Sequence, residues 1–134
     1  CTGGMIAARL VNVSGVSDVF MQGMVTYSNE AKVRLLGVKE ETLKAHGAVS
    51  RETALEMALG GAERAQTDVC VAVTGLAGPG GGSKEKTVGL VYMACAVKGK
   101  AEVLEYHFKG NRGKIREQSM MKALDLVRRC VLKA

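Results

Sequence analysis

Tryptophan is absent from this 134-residue sequence, proline occurs once, and two phenylalanines and three tyrosines are the only other large aromatic side chains. So few rings leave little platform for base stacking, which counts against nucleic-acid binding despite a net charge of +6. One proline beside 17 scattered glycines excludes collagen-like or proline-rich character. No apolar run approaches the ~20 residues of a bilayer-spanning helix, so no membrane partner is expected. The four cysteines, Cys1, Cys70, Cys95 and Cys130, form no Cys-x-x-Cys pair, and His46 and His107 stand apart from any ligand cluster. Neither a zinc site nor a disulfide framework follows from that spacing. The cysteines read as reduced core thiols, and the expected location is the cytoplasm.

What is present is an ordinary globular composition, 47% hydrophobic and 24% charged, which fits a single domain over residues 1–134. The basic excess favours anionic partners, and with aromatics scarce a small anionic ligand leads over nucleic acid. The opening Cys-Thr-Gly-Gly reads as a cut inside a structural element, a domain truncated at its N-terminus.

Apolar spacing predicts a helix from Gly3 to Val11 behind a Thr2 cap, and then a strand over Val19 to Tyr27. Three helices are expected next: Ser28 to Gly37, Lys39 to Ala45, and Ser50 to Ala65. Asp68 to Val73 reads as a strand buried on both faces. Val88 to Val97 and Glu102 to Phe108 flank Lys98-Gly99-Lys100-Ala101 and read as an antiparallel hairpin. A final helix spans Arg112 to Leu132. The order implies an α/β fold, a three-layer α/β/α sandwich around a mixed parallel and antiparallel sheet.

Three segments carry candidate chemistry. In Thr26-Tyr27-Ser28-Asn29-Glu30-Ala31-Lys32, a strand-to-helix turn places Tyr27 and Lys32 near one sheet edge. A lysine in a partly buried cleft loses solvation of its charged form and becomes a base for a hydroxyl nucleophile. The competing reading is a surface lysine beside a core tyrosine. The glycine-rich stretch Thr74 to Lys86 brings backbone N–H groups, with the Thr74 hydroxyl and Gly75, within reach of an anion. It matches neither G-x-G-x-x-G nor a P-loop, and a mobile connector is its competing reading. In Gly110-Asn111-Arg112-Gly113-Lys114-Ile115-Arg116, Arg112 and Arg116 lie four apart at a helix start, suited to a phosphate or simply solvated. Thr2, Gly3 and Gly4 form a further candidate oxyanion site.

Cys1-Thr2-Gly3-Gly4, Val25 to Lys32, Gly47-Ala48-Val49-Ser50, Thr74-Gly75-Leu76-Ala77-Gly78-Pro79 and Gly110-Asn111-Arg112 together resemble the CinA C-terminal domain family. Its enzymes are nicotinamide-nucleotide amidohydrolases, which deamidate nicotinamide mononucleotide. The resemblance implies a serine–lysine–tyrosine acyl transfer without metal or cofactor. Lys32 is then the base and Tyr27 the proton relay. Thr2, Gly3, Gly4, Asn29, Thr74 and Gly75 surround the oxyanion and substrate, and Arg112 and Arg116 take the phosphate. The family motif reads Glu-Ser-Cys-Thr-Gly-Gly, so its serine falls immediately before Cys1, fed by a strand. Gly80 stands where the family commonly has Asp, and Thr87 where it has Pro. The rival reading is a non-catalytic nucleotide-binding or assembly module. A homo-oligomer, a dimer, is the expected assembly.

Overall fold

A computed structural model describes all residues, 1–134. Five α-helices and three strands follow in the order α1 (Met5–Leu10), α2 (Asn29–Leu36), α3 (Glu40–His46), α4 (Arg51–Ala65), β1 (Val69–Gly75), β2 (Leu90–Val97), β3 (Lys100–His107) and α5 (Arg112–Leu132). The sheet order is β1-β2-β3. Both pairings are antiparallel, with Val71 opposite Cys95 and Cys95 opposite Glu102.

Alternation along β2 divides the core. Ala94 and Ala96 face α2 and α4, packing with Leu36, Val38, Ala54, Met57 and Ala58. Val91, Met93 and Cys95 face α5, packing with Ile115, Ala123, Leu126 and Cys130. Strand side chains point alternately to opposite faces, so β2, covered on both, must be apolar throughout its middle. This is the expected three-layer α/β arrangement. Small residues let helices of one layer approach closely: a Cβ on Gly60 of α4 would sit 1.7 Å from the Leu36 carbonyl oxygen of α2.

The caps explain most helix boundaries. Ser28 accepts a hydrogen bond from the Ala31 amide (3.0 Å), Ser50 from Thr53 (3.1 Å) and Asn111 from Lys114 (2.9 Å). Lys98 and Gly99, both at positive φ (49° and 83°), make the two-residue turn of the β2–β3 hairpin.

Two expectations require correction. Thr2 is not a side-chain cap: α1 starts at Met5, after Gly4 in a left-handed conformation (φ 91°). The sheet is wholly antiparallel instead of mixed, because Val19 to Tyr27 forms no strand. No residue from Met21 to Tyr27 enters a backbone–backbone hydrogen bond. Its aromatic and β-branched residues have the local propensity, but a strand exists only through its partner. A cavity of about 1100 Å³ is bordered on one side by this segment and on the other by β1.

Candidate functional site

That cavity gathers most of the residues singled out from sequence. Cys1, Thr2, Gly3 and Gly4 line it together with Tyr27, Lys32, Thr74, Gly75 and Arg112. Its volume is at the upper end of the roughly 300–1,000 Å³ typical of small-molecule sites. Asn29 and Arg116 lie outside the lining. Asn29 is exposed in the first turn of α2.

Lys32 comes inward because Ser28 starts α2 four residues earlier, and one helical turn brings residue 32 onto the face carrying Ala31 and Leu36. Only 6% of it is exposed. Its ammonium donates to the Thr26 carbonyl oxygen at 2.8 Å and, more distantly, to that of Tyr27 at 3.5 Å. No carboxylate pairs with it. Carbonyl dipoles replace only part of the lost hydration, so burial lowers the Lys32 pKa from the usual lysine value. Such an amine gives up its proton more readily than a solvated lysine, as a general base requires.

Tyr27 meets Lys32 through its backbone. The residue is 71% exposed, at the cavity's border. Its phenol is bonded to no protein group.

Thr74, at the end of β1, is 4% exposed and donates to the Ala48 carbonyl at 2.7 Å. This bond fastens the strand to the Gly47–Ser50 turn. Gly75 is required by packing: a Cβ there would approach Val91 Cγ2 to 2.6 Å and the Leu90 carbonyl oxygen to 3.1 Å. Lys86 donates to the His46 carbonyl, joining the end of the glycine-rich stretch to α3.

The two arginines of α5 part company. Arg112 reaches the cavity and donates to the Gly78 carbonyl at 2.8 Å, which ties the glycine-rich stretch to the helix start. Arg116 is engaged by the backbone of the first residues instead, its Nε donating to the Cys1 carbonyl (2.9 Å) and its Nη2 to that of Thr2 (3.1 Å).

Electrostatically, the cations converge on Cys1. The charges of Lys32, Arg116 and Arg112 all act at its nitrogen. Negative charge developing beside the Cys1 nitrogen is therefore favoured. Thr2, 9% exposed, and Thr26, 7% exposed, add hydroxyl-bearing side chains nearby. Sequence reasoning passed over Thr26 as a site residue although it stands inside the quoted run. It also missed Ser119, fully buried on α5, which takes a long hydrogen bond from Cys1 Sγ at 3.9 Å. A lone serine on the apolar stripe between Ile115 and Ala123 was its available signal.

Comparison with known proteins follows the same outline. The profile of the CinA C-terminal domain matches residues 1–131. A CinA-like protein of Kosmotoga olearia is 57% identical over 132 residues, covering 98% of this chain and 32% of that protein. The chain thus spans about a third of the length of that relative. Among solved structures, the competence/damage inducible protein CihA of Agrobacterium tumefaciens superposes with a TM-score of 0.92 at 48% identity, covering 94% of this chain and 78% of the other. A CinA superfamily protein of Escherichia coli gives 0.90 at 35% identity, covering 93% and 73%.

Proposed function

The chain belongs to the CinA C-terminal domain family, and on that premise we propose that it is the amidohydrolase domain of a pyridine-mononucleotide deamidase, converting nicotinamide mononucleotide to nicotinic acid mononucleotide and ammonia. The observation that carries the reading is Lys32: buried, without a carboxylate, its pKa lowered, and opening on a cavity that also holds an arginine.

In the proposed reaction the attacking hydroxyl belongs to a serine at the position before Cys1, as in the family motif. The Lys32 amine takes the hydroxyl proton as the oxygen attacks the carboxamide carbon. The oxyanion that forms lies in the positive field at Cys1, within reach of amides from Thr2 to Gly4. The C–N bond then breaks, and a proton relayed through the Tyr27 phenol leaves with the nitrogen as ammonia. Water hydrolyses the resulting ester and restores the serine. Arg112 meets the phosphate with the donors it does not spend on Gly78, and Thr74 and Gly75 border the substrate. The reaction belongs in the cytoplasm, where its substrate class is found, and the assembly is a homodimer.

The deciding experiment is ammonia release from nicotinamide mononucleotide by the protein carrying this domain together with the residues upstream of Cys1. Turnover abolished by removing the serine supports the reading. Binding of the mononucleotide without ammonia release replaces it with a non-catalytic nucleotide-binding module.

A further inference from the structure

Arg112 and Arg116 occupy successive turns of α5, yet only Arg112 lines the cavity. Arg116 is half-buried, and its fork is directed at two consecutive carbonyls, those of Cys1 and Thr2. One turn further along, Ser119 accepts from Cys1 Sγ while donating to the Ile115 carbonyl at 2.7 Å. α5 therefore holds Cys1 by its backbone and its side chain together.

The consequence follows from peptide geometry. Each peptide unit is planar and trans, so fixing the direction of a carbonyl fixes the N–H of the next residue in the opposite direction. Holding the Cys1 and Thr2 carbonyls orients the Thr2 and Gly3 amides, neither of which donates to another backbone group. The Thr2 carbonyl also accepts from the Met5 amide at 3.1 Å, whereas the Cys1 carbonyl has no backbone donor and the two following glycines have left-handed φ (60° and 91°), so the start of this turn depends on Arg116 to keep one conformation. A guanidinium is a rigid planar donor that can bridge two oxygens; an ammonium is a point donor on a flexible stem and cannot fix both directions.

We propose that Arg116 is a positioning residue: it holds the Cys1–Thr2 backbone against α5 and sets the orientation of the reacting turn, and it does not contact the ligand's phosphate. This rests on the amidohydrolase reading, and it separates two arginines that the sequence presents as a pair.

The test compares Arg116→Lys with Arg112→Lys in the protein carrying the residues upstream of Cys1. Both variants keep the charge and the aliphatic stem, and a well-dispersed amide spectrum verifies that each is folded. Arg116→Lys is expected to lower kcat for nicotinamide mononucleotide by about 10²-fold, the scale of a misplaced reacting group, with KM within about twofold. Arg112→Lys is expected to raise KM. A raised KM with unchanged kcat in Arg116→Lys overturns the proposal and makes Arg116 a phosphate contact. A second readout is independent of turnover. The amide resonances of Thr2, Gly3 and Gly4 shift in Arg116→Lys and stay in place in Arg112→Lys. If the parent protein releases no ammonia, the amidohydrolase reading fails, and these shifts still decide Arg116: their absence overturns its positioning role.

Discussion

The Lys32 ammonium donates to the Thr26 carbonyl oxygen at 2.8 Å, so the side chain of one helix residue holds the end of the irregular segment, Val19 to Tyr27, that borders the cavity. The proposed base and the wall of its own site are thus one unit. Lys32→Ala should reduce ammonia release by at least about 10²-fold, the lower end of what a positioned acid–base group contributes. A variant that is folded and retains a near-normal rate removes Lys32 from the mechanism.

Burial of Lys32 also makes a statement about stability. Its folded pKa lies below its unfolded value, so between those two pH values the unfolded chain binds more protons than the folded one. Stability from this group therefore rises with pH across that window, and the cost of burying the charge is fully present below it. Urea unfolding of the parent and of Lys32→Met, from neutral pH towards about pH 10, should show the parent gaining relative to the variant as pH rises. A difference independent of pH would mean that Lys32 is solvated.

Tyr27→Phe separates the phenol from the ring. The residue is 71% exposed, so its melting temperature should stay put, within about 0.5 kcal/mol of stability. A fall in kcat accompanying an unchanged melting curve assigns the hydroxyl to the reaction. Unchanged kcat would confine Tyr27 to its backbone contact with Lys32.

Arg112→Ala should weaken binding of nicotinamide mononucleotide by about 1.5–3 kcal/mol, the scale of a hydrogen bond to a charged group, and leave nicotinamide riboside nearly unaffected. Titration calorimetry with both ligands measures this directly. Equal losses would mean that Arg112 acts only by tethering Gly78.

Much of the fold is legible in the sequence because local and tertiary signals agree there. Ser28 and Ser50 cap where expected, Gly37 ends α2 at φ 70°, and Gly99 turns the hairpin. The three-layer arrangement follows from apolar residues at every position through the middle of β2. Where the reading failed, the deciding partner was distant in sequence. Val19 to Tyr27 has strand composition, but pairing depends on another segment's edge. The site shows the same division. Its family resemblance named Lys32, Thr74 and Arg112, and all three line one cavity. Nothing local distinguishes Arg116 from Arg112, because the difference lies in carbonyls more than a hundred residues away. Spacing alone put the Tyr27 phenol beside the amine, whereas the backbone of that residue is what touches it.

The absence of backbone pairing from Met21 to Tyr27 divides the molecule into regions of unequal local stability. β2 is bonded on both edges and covered on both faces, so exposing its amides requires opening the whole domain. The amides of Gln22 to Val25 have no such protection, and their exchange with deuterium should be complete while those of Val91, Met93 and Cys95 still carry hydrogen. One wall of the cavity can therefore breathe without the scaffold unfolding. Opening of that wall leaves the turn at Cys1 in place, because Arg116 and Ser119 anchor it to α5.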